Sequence, residues 1–141
     1  MGLIQLIYVS TATNELNDKE IRQILDSSIR HNTPQEVTGL LLYSHGSFMQ
    51  VLEGEETAVD ETMSRIKKDP LHHSILVMTR SPITVREFGT WAMAFRGIKA
   101  PDSATWPAYA PFFERGFNAR LIDATPGVAL EILRRFAETT V

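Results

Sequence analysis

Two residues draw notice by their type and setting. Gln50 lies between Met49 and Val51 in the otherwise apolar run SFMQVL, and Tyr8 lies near the end of LIQLIYVS. A carboxamide has an acceptor at one end and donors at the other. Buried without partners, it costs roughly 1–3 kcal/mol. A buried phenol is a large apolar side chain with one hydroxyl to satisfy. Taken singly, each has an ordinary reading: Tyr8 as a core tyrosine, Gln50 as a surface glutamine on an edge strand.

The remaining polar candidates are similarly open. Asn32 follows the first helical stretch and could cap it. Arg65 and Asp69 are four apart and could form an exposed helical pair. Trp91, Met93 and Phe95 alternate and fall on one strand face, where core packing would account for them. His72 and His73 could suggest a metal, but neighbours on a strand point to opposite faces, so no metal site is predicted. The chain has no cysteine, which excludes disulfides, thiolate catalysis and zinc–thiolate sites. No Gly-rich phosphate loop, Ser-His-Asp order or acid–base pair is legible, so no catalysis is predicted.

The elements that position these residues can be read from periodicity. In 3–10, Ile4, Leu6 and Tyr8 share one face, and Leu3, Gln5, Ile7 and Val9 the other. Both faces are largely apolar, as in a central strand. Asn17 with Glu20 makes a capping box. Ile21, Ile24, Leu25 and Ile29 then form a helical stripe. The helix is expected to stop near His31-Asn32, because Pro34 disfavours helix before it. Segments 38–44 and 47–53 are strands joined by a tight turn at His45-Gly46. A second helix over 55–68 buries Val59, Met63 and Ile66 and ends at Asp69-Pro70. Strands are predicted at 74–79 and at 91–95, WAMAF. Residues 100–111, with three prolines, read as a linker with a short helix. Thr125-Pro126 provides a cap and first helical position for a last helix. Its stripe is Val128, Ala129, Ile132, Leu133, Phe136 and Ala137, which must be buried on the open sheet face or on a partner subunit.

The order is β-α-β-β-α-β-β. The fold class is α+β, a ferredoxin-like mixed sheet with two helices on one face, plus C-terminal helices. With 141 residues, 43% of them apolar, the chain suits one compact domain. Its net charge of −3 shows no basic patch, so nucleic acid is not an expected partner. No run approaches the roughly 18 apolar residues of a membrane span. The apolar start lacks a positive leader and reads as a strand, so the expected location is cytoplasmic, with no membrane partner.

The residues together are more specific than each alone. Tyr8 in the first strand, Asn32 after the first helix and Gln50 in the third strand form part of the pattern. Arg65 and Asp69 in the second helix, and Trp91-Ala92-Met93 in the last strand, complete it. With the segment TGLLLYSHGSFMQVLEGE, this resembles the BLUF family of blue-light sensors over roughly residues 3–97. The resemblance implies a flavin-binding domain over 1–98 and a C-terminal linker and helical extension over 99–141. It also implies a flavin held without a covalent bond: FAD, with FMN or riboflavin as alternatives. Ile24, Leu25, Leu41, Phe48 and Ile66 match apolar positions that sandwich the flavin ring. Asn32 matches a residue bonded to the ring's pyrimidine edge, and Arg65 and Asp69 match polar contacts. His31 stands where other members often carry Asn or His. Gln50 matches the glutamine beside the ring, and Tyr8 the tyrosine bonded to it.

The implied chemistry suits these residue types. An excited flavin is a strong oxidant and a nearby phenol a good electron donor. Tyrosine ordinarily has a pKa of about 10, but losing an electron makes it a strong acid, so a proton follows. Gln50 relays the proton and emerges with a rearranged amide, and flavin absorption shifts slightly to the red. One hydrogen bond is worth roughly 0.5–1.5 kcal/mol, whereas a full two-state switch needs about 5.5 kcal/mol. A larger element must therefore move, and Trp91 and Met93 are the family's signal-relay positions. The signal is expected to pass through the last strand and C-terminal helices to an unidentified protein effector. Homo-oligomers are expected. Three rival readings are a metabolite-sensing regulatory domain, an enzyme of acylphosphatase or monooxygenase type, and a plain oligomerisation module. The first predicts a colourless protein.

Overall fold

The computed structural model describes residues 2–138, the side chain of Ala100 excepted. Its first strand, β1 (Leu3–Ala12), is central, and buries Ile4, Leu6 and Tyr8 on one face and Ile7 and Val9 on the other. Helix α1 (Asp18–Gln35) opens on the expected capping box, with Asn17 accepting from the Glu20 N–H and Glu20 reaching back to the Asn17 N–H. Next come β2 (Thr38–Ser44), β3 (Ser47–Glu55) and α2 (Glu56–Lys67). The turn between β2 and β3 puts His45 at φ 44° and Gly46 at φ 79°, the left-handed pair that a two-residue hairpin requires. Strands β4 (His72–Ile83) and β5 (Ala94–Gly97) complete a five-stranded sheet of order β4-β1-β3-β2-β5. All neighbours are antiparallel except β2 and β5.

Each sheet face carries its own core. Helices α1 and α2 cover the face of Tyr8, Leu41, Phe48 and Leu52. The C-terminal helices cover the other: α3 (Ala100–Thr105), α4 (Ala110–Phe113), α5 (Ala119–Asp123) and α6 (Val128–Glu138). Of the two ways to bury the last helix's stripe, the chain uses its own sheet. Val128, Ala129, Ile132, Leu133 and Phe136 are buried there with Ile7, Leu40 and Val51. The extension is also pinned by hydrogen bonds, from Ser44 Oγ to the Phe113 carbonyl (2.6 Å) and from the Phe117 N–H to Ser47 Oγ (2.6 Å).

Several local expectations are corrected. Helix α1 does not stop at His31-Asn32 but runs through Pro34 to Gln35, ending where Glu36 adopts a left-handed φ of 56°. A proline in the last turn removes one backbone donor without preventing closure by the cap, whose N–H bonds the Asn32 and Thr33 carbonyls. Ile29 leaves the buried stripe and is 42% exposed. Strand β4 is longer than the predicted 74–79, and as an edge strand it leaves Leu76 and Val77 exposed. The proline-rich stretch holds two short helices, α3 and α4. Thr125 does not cap α6; its hydroxyl donates to the Leu121 carbonyl of α5 (2.8 Å), and α6 starts at Val128.

The predicted strand 91–95 is displaced: β5 begins at Ala94. Residues before it cross from one face of the sheet to the other. Trp91 packs against the core on the side of the C-terminal helices, whereas Met93 is buried on the side of α1 and α2. They do not share a face, because strand alternation does not govern a segment that is not a strand.

Candidate functional site

Tyr8 and Gln50 are direct partners in the β1–β3 ladder, and Leu41 of β2 is the next residue in the same row. Residues opposite one another in a ladder project to the same face. The row therefore sets a phenol, a carboxamide and an apolar side chain side by side under the helices. The Tyr8 hydroxyl donates to Gln50 Oε1. The amide nitrogen of Gln50 donates to the sulfur of Met93 (3.2 Å). All three side chains are buried, so the amide meets the partner requirement anticipated from its apolar run. Burial pushes the Tyr8 phenol well above the ordinary tyrosine range, and the negative charge of Asp69 adds to this. Tyr8 is thus a neutral donor in the resting protein.

A cleft between α1 and α2 opens above this row. One part is lined by Tyr8, Ile24, Leu41, Phe48, Gln50, Ile66 and Asp69, and the adjoining part adds His31, Asn32 and Arg65. Asn32 is 1% exposed and projects from the last turn of α1; its Nδ2 donates to the Ala92 carbonyl (3.2 Å) and its Oδ1 accepts from Arg65 Nη2 (3.4 Å). It is therefore a buried link between α1, α2 and the segment before β5, not simply a helix cap. Arg65 reaches Asn32, and Asp69 accepts from the Leu71 N–H (2.9 Å). His31 is exposed, its Nδ1 beside the Ser27 carbonyl (2.8 Å) at the rim.

Of the residues singled out from the sequence as flavin contacts, Leu25 alone is not on the cleft lining; it packs into the core beneath α1. Sequence reasoning missed Gln23, Ser27, Ser28, Thr62, Leu71 and His72. The two serines had a signal, because Ser27 and Ser28 lie three and four residues after Ile24 on one helix face. Leu71 and His72 had none, since they reach the cleft only by the return of the chain after α2. His72 fits no metal site: its Nε2 lies 2.8 Å from the Ile66 carbonyl and its Nδ1 2.8 Å from Ser10 Oγ. Among the described residues, no cluster of three potential ligands suits a metal ion, and no helix is long and apolar enough to cross a membrane.

The donor set suits a flat heteroaromatic ring with one polar edge. Ile24, Leu41, Phe48 and Ile66 form apolar walls. Asn32 offers both a donor and an acceptor, Arg65 offers donors, and Gln50 stands at the floor. Fold and site thus define a ferredoxin-like domain with a cleft for a planar cofactor over a phenol–amide pair.

Comparison with known proteins agrees. Residues 3–94 match the family described as BLUF, sensors of blue light using FAD. The chain is 34% identical over 86 residues to the photoactivated adenylate cyclase subunit beta of Euglena gracilis, covering 61% of this chain and 10% of that protein. It is 33% identical over 91 residues to the blue light- and temperature-regulated antirepressor BluF of Escherichia coli, covering 64% of this chain and 23% of that protein. The chain spans only a small part of these relatives, and their further activities are their own. Among solved structures, BlsA in its photo-activated state superposes with a TM-score of 0.77 at 26% identity, covering 94% of this chain and 93% of that one. The dark-state structure of BlrB, a BLUF protein, gives a TM-score of 0.68 at 34% identity, covering 79% and 88%.

The chain belongs to the BLUF family. It is a blue-light-sensing flavoprotein domain that holds FAD without a covalent bond, and the segment that matches is the sensor family's.

Proposed function

We propose that Tyr8 and Gln50 are the photochemical pair of this sensor and that its output leaves through Trp91, Met93 and the C-terminal helices. The observation that carries this is the hydrogen bond from the Tyr8 hydroxyl to Gln50 Oε1, with the other end of the amide turned to Met93. The flavin, once bound and excited by blue light, supplies the oxidant. Tyr8 would lend an electron to the ring, and its proton would follow along the hydrogen bond already made to Gln50 towards the ring. When the electron and proton return to Tyr8, the amide would be left rotated or tautomerised, and in either state the nitrogen end that now faces Met93 is changed. Rearrangement of the amide releases Met93.

Ile24, Leu41, Phe48 and Ile66 hold the ring, Asn32 and Arg65 serve its polar edge, Asp69 sets the charge beside it, and His31 guards the rim. Leu25 supports these walls from beneath. Residues 1–98 form the sensor unit and 99–141 its output extension. The receiver is a further protein, and assembly as a homo-oligomer would multiply its contacts. FAD is the expected resident flavin, with FMN or riboflavin able to occupy the same ring site. The experiment is an absorption spectrum in the dark, under blue light and during recovery. Flavin bands that move slightly red and return support the assignment; bands that only bleach overturn the roles of Tyr8 and Gln50.

A further inference from the structure

Glu53 is the fully buried carboxylate of β3, and it does not belong to the cleft. It lies three residues after Gln50, and this odd spacing puts the two on opposite faces of the strand. Its Oε2 accepts from Gln5 Nε2 (2.8 Å) and from the Glu87 N–H (3.1 Å), and its Oε1 from the Phe88 N–H (2.6 Å). Its main-chain carbonyl accepts from Arg86 (2.9 Å), whose same nitrogen also donates to Thr38 Oγ1 (2.9 Å). Three consecutive residues, 86–88, are therefore docked on one residue of β3.

The other end of the same segment meets β3 at Gln50, through Met93. Between these ends the Trp91 carbonyl accepts from the Gly39 N–H (3.1 Å), where the chain passes the edge of β2, and the Trp91 side chain packs against the far-side core that holds α6. A segment free at one end would absorb a change at Met93 by sliding. Held at Glu53, at Gly39 through the Trp91 carbonyl and at Asn32 through the Ala92 carbonyl, it cannot take up a change at Met93 by sliding, and the Trp91 side chain is the part of it that ends in the far-side core.

We propose that Glu53 is a positioning residue for the light signal, the anchor that turns release of Met93 into movement of Trp91 against α6. This rests on the photochemical reading given above. Isolated buried charges are costly, and a carboxylate with three donors is a strong clamp. Neutralising it as Glu53→Gln keeps the shape, but sets an amide NH2 where one of the donors had an acceptor.

The test is amide hydrogen exchange over residues 128–138 of the flavin-loaded full chain, in the dark and under blue light, beside the absorption spectrum. The wild type is expected to show a light-dependent exchange difference in α6. Glu53→Gln is expected to keep the red shift and lose that difference. Arg86→Met loosens the same segment while leaving the three donors to the Glu53 carboxylate in place, and decides the matter if Glu53→Gln does not fold; its difference should be reduced. A red-shifting wild type with no change in α6, or variants that retain the full difference, overturns the proposal. Absence of any red shift in the wild type would instead overturn the photochemical reading, and this proposal with it.

Discussion

The Tyr8 hydroxyl donates to the carboxamide oxygen of Gln50, its directly opposite partner across two antiparallel strands. This geometry needs no flexible loop. Both residues are held by ladder hydrogen bonds in the middle of the sheet, so the distance between donor and acceptor is set by strand pairing. The amide nitrogen at the other end donates to Met93, which lies outside any strand. The site thus joins a pair fixed by strand register to a third member that stands outside the strands.

Replacing Gln50 by Leu should preserve the flavin cleft and abolish the light response. The change leaves the Tyr8 hydroxyl buried without an acceptor, at an expected loss of about 1–3 kcal/mol in a denaturant titration. A red-shifted state of normal amplitude in this variant would remove Gln50 from the reaction.

Tyr8→Phe keeps the ring and removes the hydroxyl and the readily oxidised phenol. Flavin binding should persist and the reversible shift should vanish. The same variant reads the tyrosine's ionisation. Burial raises the folded-state pKa of Tyr8 above its unfolded value, so its neutral form contributes stability that is fully present below about pH 10 and is lost as pH rises through the folded value. The stability difference between wild type and Tyr8→Phe, measured across alkaline pH, should be constant to about pH 10 and shift against the wild type above it.

Met93→Leu conserves volume and deletes the sulfur acceptor. Stability should fall by less than about 1.5 kcal/mol. The amide of Gln50 then has no partner at its nitrogen end, and the rate of dark recovery after a light pulse should change. An unaltered rate would mean that the Gln50–Met93 contact does not control the resting state.

Gly39→Ala tests the crossing of the segment before β5. A Cβ at this position would lie 1.9 Å from the Val51 carbonyl oxygen and 3.4 Å from the Met93 methyl. Either β2 moves from β3 or the fold is lost, at a cost of at least about 1–3 kcal/mol. A lower melting temperature and poorer flavin retention are expected, and a wild-type melting curve would contradict the tight approach.

Features set by local chemistry were legible before the fold. The alternation in β1, the Asn17–Glu20 capping box, the His45-Gly46 turn and the apolar stripe of α6 follow from periodicity and backbone preference over a few residues. The unusual position of Gln50 was legible too, because an amide in an apolar strand demands a partner wherever it goes. The family resemblance then supplied the partner's name, but not the geometry.

What needed tertiary structure was every relationship between distant segments. The face of α6 could be read from its sequence, but only packing decided that it lies on its own sheet. Trp91 and Met93 read as neighbours on one strand face, yet the chain crosses the edge of β2 at Gly39 and sends them to opposite cores. Leu71 and His72 enter the cleft because β4 returns beside β1. Glu53 gave no sign of anchoring residues 86–88, more than thirty positions away. The sequence by itself determined the candidate residues, Tyr8 and Gln50 first among them, and which way those in the regular strands face. Strand register and the path of the segment before β5 decided which of them meet, because contacts between remote residues depend on how whole faces pack and not on any local pattern.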